Sequence, residues 1–154
     1  RIIIAKEGLN GTVEGEIENT EKYIDALKID PRFSDIHMKK SVGTGNAFPK
    51  LSIKIRKEIV SSHLDNREMS INPQETTGKY ITPDELHYWI HNGKKFYFVD
   101  MRNIYETEVG YFENSIKAPF ENFRDLSKIL PVLENSKNET IITVCTGGVR
   151  CEKA

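Results

Sequence analysis

Ile141-Ile142-Thr143-Val144-Cys145-Thr146-Gly147-Gly148-Val149-Arg150 is the stretch on which the reading of this chain turns. Its first four residues are aliphatic or β-branched, a run that suits a strand buried on both faces. A cysteine stands at the carboxyl end of that strand, with two glycines and an arginine after it. Gly147 and Gly148 can take positive φ angles that other residues resist, so successive amides can turn inward toward the sulfur. Arg150 adds a permanent cation, and a helix starting near it points its positive dipole end at the same spot. Each contribution favours thiolate over thiol at neutral pH, and the same nest suits a persulfide or an oxyanion. Cys145 is read as the catalytic sulfur, Thr146, Gly147, Gly148 and Val149 as the anion cradle, and Arg150 as the charge that completes it. The alternative is a buried cysteine beside an ordinary glycine turn. The strand before Cys145 and the Gly-Gly and Arg after it decide for the active loop.

Loop length narrows the chemistry. Thr146 to Val149 separate Cys145 from Arg150, one residue fewer than in the cysteine phosphatases, and Cys151 stands where the longer motif needs its arginine. The smaller ring suits sulfur better than phosphate. Cys145 and Cys151 are the only cysteines. Two thiols cannot supply the four ligands of a structural zinc site, no histidine cluster lies near them in sequence, and no metal is expected. A disulfide between them would close a small ring and disable the loop, so Cys151 is read as a packing residue ahead of a resolving thiol.

Outward from the loop, the chain divides by pattern. Asn122 to Leu133 predicts a helix with Phe123, Leu126, Ile129, Leu130 and Leu133 apolar, and Lys95 to Asp100 predicts a strand. Strand, helix, strand, loop and helix start make a parallel α/β arrangement, with the cysteine loop at the carboxyl edge of the sheet. Asp100 and Arg102 emerge at a strand end too. They are read as supporting residues, an ion pair or turn hydrogen bonds that brace the loop. Thr82-Pro83-Asp84-Glu85 predicts a capped helix start, Leu86, Trp89 and Ile90 its apolar stripe, and Asn92-Gly93 its end. Trp89 is read as core at this spacing, and His87 and His91 as surface residues.

Before these elements, Ser61 to Lys79 is polar and holds Asn72-Pro73 and Thr77-Gly78, which predicts a linker between a domain over residues 1–60 and another over 80–154. In the first region Ile2-Ile3-Ile4 and Thr12-Val13 read as strands around a Gly8-Leu9-Asn10-Gly11 turn. Thr20 to Leu27 reads as a helix ended by Asp30-Pro31, and Leu51, Ile53, Ile55 and Ile59-Val60 as a strand with Ser52, Lys54 and Arg56 opposite. This is a compact α+β unit.

Val99-Asp100-Met101-Arg102-Asn103-Ile104-Tyr105-Glu106, then Gly110 and Ile116, resembles the entry to a rhodanese domain, and Cys145 to Arg150 resembles that domain's active-site loop. Together with the amino-terminal AKEGLNGTVEG and with CTGGVRCEKA, the chain resembles the rhodanese-containing tRNA uridine hydroxylase family along nearly its whole length. The resemblance implies a partial ferredoxin- or acylphosphatase-like domain followed by a truncated rhodanese-like parallel α/β domain. Arg1-Ile2-Ile3-Ile4 begins inside a strand pattern and Glu152-Lys153-Ala154 gives only a first helical turn, so the chain is expected to be a fragment. Where the commonest rhodanese pattern has histidine after glycine, this sequence has Gly110-Tyr111.

The family implies hydroxylation of the tRNA wobble uridine at carbon 5, with molecular oxygen as co-substrate. No flavin, nicotinamide or iron motif is identifiable in the sequence. The runner-up is a thiosulfate or persulfide sulfurtransferase, and a third reading is a redox or interaction module on a rhodanese scaffold. A formal net charge of −1 excludes a global basic excess, so tRNA contact must use a local patch. Lys39, Lys40, Lys50, Lys54, Arg56 and Lys57 are the candidates, against the plainer reading of a solvated face with interspersed cations. No run is apolar and long enough for a membrane span and no signal-peptide pattern opens the chain, so a cytoplasmic location is expected.

Overall fold

The structure is a computed structural model that describes residues 1–64 and 72–154. The chain separates into two compact units, Arg1–Arg56 and Lys57–Ala154.

In the first unit, β1 (Ile2–Ala5) and β2 (Gly8–Gly11) form an antiparallel hairpin with Ala5 opposite Gly8 and Ile2 opposite Gly11. The reversal therefore falls on Lys6-Glu7, and the Gly8-to-Gly11 stretch expected as a turn is itself the second strand. Gly8 carries the positive φ, 142°, that lets the two-residue connection close. Helix α1 (Ile17–Lys28) turns Tyr23, Ile24 and Leu27 inward and stops where Asp30 caps the tight turn Pro31–Phe33. The chain then returns as β3 (Ile53–Ile55), parallel to β1, giving the order β2-β1-β3. The expected alternation along this strand does not bury its aliphatic side: Leu51, Ile53 and Ile55 are all exposed, and Ile2 is the buried apolar residue of the unit.

The second unit begins earlier than residue 80. Leu64 joins its core, and Glu58 and Ser62 are buried, with Ser62 donating from its hydroxyl to Glu58 at 2.7 Å. The segment expected as linker therefore contributes to packing at its start; residues 65–71 of it lie outside the described residues. Helix α2 (Pro83–His91) opens as expected, with the Thr82 hydroxyl accepting from the Glu85 amide at 3.1 Å. Gly93, at φ 65°, lets the chain leave it. Leu86 and Trp89 face inward while Ile90 is exposed; the Lys94 ammonium lies 3.1 Å above the Trp89 ring and Phe96 packs beside it.

Strand β4 (Tyr97–Asp100) is central, flanked by β5 (Ile116–Lys117) and β6 (Ile141–Val144), and every pairing is parallel. Its register sets Asp100 level with Val144 on one side and Lys117 on the other. All three strands thus end at one edge. Val99, Met101, Ala118, Phe120, Phe123, Leu126 and Ile129 form the core.

The stretch expected as a helix over 122–133 is instead a kinked 3₁₀ segment, Phe123–Ile129, with non-helical dihedrals at Asp125. Its buried side chains are Phe123, Leu126 and Ile129, spaced by three, which matches the 3₁₀ repeat. Pro131 lacks the N–H that an α-helix would need there. Leu130 is correspondingly left exposed.

Candidate active site

Cys145 follows β6 directly, at the edge where β4 also ends, and the Met101 amide donates to the Val144 carbonyl at 2.9 Å to fix the two strand ends together. The half-buried Cys145 sulfur accepts from the Gly148 amide at 3.0 Å. The thiol is drawn down to about 5, chiefly by a hydrogen bond from the Cys151 thiol, with the amides of Cys151, Arg150 and Gly147 adding to it against the cost of burial. Cys151 is pushed up in turn, because it donates to a thiolate and is itself partly buried. At neutral pH this pair is one thiolate held by one thiol. Cys151 is thus a direct partner of the sulfur, where the sequence suggested a packing residue.

Of the two glycines, only Gly148 has positive φ, 86°, and a side chain there would stand 3.2 Å from the Tyr80 hydroxyl oxygen. Gly147 does not need the left-handed region, and a Cβ built on it meets nothing within 4 Å. The residues after the loop form a single 3₁₀ turn, Cys151–Lys153, where a helix start was expected.

Arg150 does not stand free over the sulfur. Its guanidinium donates to Glu106 from Nη1 to Oε2 at 2.5 Å and from Nη2 to Oε1 at 2.7 Å, and the Thr146 hydroxyl donates to the same carboxylate at 2.9 Å. Glu106 also accepts from the Asn103 amide at 3.1 Å, closing the first turn of the short helix α3 (Ile104–Thr107). Arg150, followed by the other donors, holds the Glu106 carboxyl down to about 2. No role is assigned to Glu106 from the sequence. Its signal was Asn103 three residues before a glutamate, a capping-box spacing in the same segment as Asp100 and Arg102.

Asp100 and Arg102 form the expected ion pair, and its further bond goes to Gly110, not to the cysteine loop it was expected to brace. Asp100 is fully buried, and Arg102 donates to it from Nε at 2.9 Å and from Nη2 at 2.7 Å. Arg102 Nη2 also reaches the Gly110 carbonyl at 2.6 Å, tying the Gly110-Tyr111-Phe112 segment to the strand end. Behind the loop, Tyr80 donates to Glu152 at 2.7 Å, and the Lys153 ammonium is buried against Glu58 at 2.5 Å.

Cys145 opens onto a depression of about 370 Å³ lined by Arg102, Gly110, Tyr111, Phe112, Val144, Cys145 and Thr146. Val149 is half-buried and is not among the residues lining this depression. The six candidate RNA-contacting cations are all exposed. Lys54 lies in β3, with Arg56 just past its end and on the same side of the chain, and Lys40 pairs with Glu21 at 3.3 Å; Lys57 belongs to the second unit. The His87 and His91 rings lie against each other, centroids 4.2 Å apart and planes tilted by 42°. Among the described residues no group of three or more His, Cys, Asp or Glu could hold a metal ion, and no helix is long and apolar enough to cross a membrane.

Fold and site together define a mixed α/β protein of two units, the second a parallel sheet consistent with a rhodanese-like part, bearing a cysteine in an amide-lined loop. Residues 1–59 match the UPF0176 acylphosphatase-like domain, the acylphosphatase-like unit expected from the sequence. The chain is homologous over 99% of its length, at 43% identity, to proteins named tRNA uridine(34) hydroxylase from Bacillus cytotoxicus, Bacillus thuringiensis and Bacillus cereus. The family resemblance is thereby borne out. The chain spans about half the length of these relatives, 46% of the first and 47% of the other two.

Proposed function

We propose that this chain carries the cysteine site of a tRNA-modifying enzyme that hydroxylates carbon 5 of the wobble uridine, with dioxygen as co-substrate and 5-hydroxyuridine as product. The observation that carries the reading is 43% identity across 99% of the chain to proteins named for that reaction. The site supports it chemically. Cys145 is a thiolate at neutral pH, partly buried at the mouth of a depression large enough for a nucleobase, and its cradle of amides suits an anionic sulfur species. In this reading Cys145 is the essential sulfur, the loop from Thr146 to Val149 shapes the cradle, and Arg150, anchored by Glu106, keeps that loop closed. The substrate is cytoplasmic tRNA, met by exposed cations such as Lys39, Lys50, Lys54 and Arg56.

Nucleoside mass spectrometry of bulk tRNA tests this reading. Cells lacking the complete protein are complemented with wild type or with Cys145→Ser. Wild type is expected to restore 5-hydroxyuridine-derived nucleosides and Cys145→Ser to leave them absent. Levels independent of the protein overturn the hydroxylase reading and make sulfur transfer from a Cys145 persulfide the next activity to assay.

A further inference from the structure

The depression beside Cys145 has an aromatic wall that the chemistry of the cysteine does not use. Tyr111 and Phe112 line it, yet they are 53% and 50% exposed. Two consecutive large aromatic residues left half in solvent cost hydrophobic free energy unless something covers them. Both rings have a partner. Phe112 stacks on Phe98 with centroids 4.8 Å apart and planes 16° apart, and the Lys117 ammonium sits 3.4 Å over the centroid of Tyr111. The backbone under them is fixed as well, because the Gly110 carbonyl accepts from Arg102, which is locked to the buried Asp100. The wall is therefore preorganised, and it stands in the same depression as the reactive sulfur.

We propose that Tyr111 and Phe112 form the stacking platform that receives the target pyrimidine once it is extruded from the tRNA loop, and that they position its ring beside Cys145. This rests on the tRNA reading above. An enzyme that acts on a ring carbon must take the base out of its stack, and a flipped base is held by an aromatic or apolar face together with hydrogen bonds to its edge. Arg102 completes the set. Its Nε and Nη2 are directed to Asp100 and Gly110, no partner of its Nη1 is found among the described residues, and Arg102 lines the depression, so that donor is available to a ring carbonyl oxygen. A pyrimidine bearing two carbonyl acceptors fits this donor and this wall.

The test uses the complete protein and a tRNA anticodon stem-loop bearing either uridine or an abasic ribose at position 34, with affinity read by fluorescence anisotropy. Stacking of one base on an aromatic side chain corresponds to about 5- to 150-fold in affinity. Wild type should bind the uridine RNA at least about 5-fold tighter than the abasic RNA. Tyr111→Ala should remove most of that difference while leaving affinity for the abasic RNA unchanged, and Tyr111→Phe should keep it. Phe112→Leu, which preserves packing on Phe98, should reduce it. A preference for uridine that survives both Tyr111→Ala and Phe112→Leu overturns the platform, as does a wild type that binds both RNAs equally. In the latter case the hydroxylase reading still stands or falls separately on the Cys145→Ser nucleoside measurement. Failure of wild type to bind either RNA removes both readings.

Discussion

Glu106→Gln removes one negative charge and almost no volume, and it tests how the loop is held. In the folded chain the Glu106 carboxylate takes two guanidinium bonds from Arg150, one from the Thr146 hydroxyl and one from the Asn103 amide. The side chains of Arg150 and Glu106 are only 14% and 20% exposed, so the pair is weakly screened. Glutamine can still accept one or two of these bonds, but its amide nitrogen meets a guanidinium that can only donate, and Arg150 is left partly buried without its counter-charge. Breaking a buried pair in this way costs about 3–5 kcal/mol when burial is complete. Discounted for the residual exposure, we expect about 2–3 kcal/mol, which for a unit of this size lowers the melting temperature by roughly 10–20 °C. Calorimetry on the complete protein reads the shift. Pairing with Arg150→Met should recover much of the loss, giving a double-mutant coupling of at least about 1.5 kcal/mol. The pH dependence has a fixed sign. The folded carboxyl sits at about 2, below its ordinary 4.5, so its stabilisation is complete above the ordinary value and is lost as pH falls from there toward 2. Glu106→Gln should flatten stability against pH across that window. A melting temperature within about 2 °C of wild type, or a coupling near zero, would refute the claim that Glu106 anchors the loop through Arg150.

Three further outcomes follow from the same geometry. Alkylation of Cys145 should reach half its maximal rate near pH 5 and fall below it, and Cys151→Ala should move that midpoint upward because the chief hydrogen bond to the thiolate is lost. Gly148→Ala should destabilise by about 1–3 kcal/mol and slow Cys145 alkylation, since φ at 86° and the Tyr80 hydroxyl both oppose a side chain, whereas Gly147→Ala should stay within about 0.5 kcal/mol by urea unfolding. Glu58→Gln should cost about 3–5 kcal/mol in urea unfolding, because the Lys153 side chain opposite it is only 5% exposed, while replacing both partners with Met should cost less than Glu58→Gln alone.

Much of the fold was legible because it rests on local signals. Thr82 with Pro83 and the Glu85 amide make a helix start from adjacent residues, and Ile141 to Val144 leave little choice but a strand, although in the sheet order β5-β4-β6 only Ile142 of the four is buried. The errors fall where local signals compete. Asn10-Gly11 carries a turn composition, yet pairing with Ile2 and Ile3 recruits it as a strand and moves the reversal to Lys6-Glu7. In the 122–133 stretch the apolar residues suit both a 3.6-residue and a 3-residue repeat, and Pro131 and the kink at Asp125 select the latter. The alternation from Leu51 to Ile55 marked a strand correctly but could not say whether an apolar side has anything to lie against.

The candidate site divides in the same way. The candidate sulfur, its glycine-containing loop and the Asp100–Arg102 ion pair were readable in the sequence, because each lies in a contiguous or nearly contiguous motif whose chemistry follows from residue type. What the charges face follows from contacts made through space. Parallel pairing of β4 with β6 brings Glu106 to Arg150 across 44 positions, so that the arginine, which also interacts with the Cys145 sulfur, is paired chiefly with a carboxylate; the fold of the loop sets Cys151 against Cys145; and Gly110 to Phe112 becomes the wall of the depression that holds the sulfur. Side-chain identity fixes what a group can do, but the field it experiences is set by neighbours brought in through space, and that information exists only once the sheet has closed.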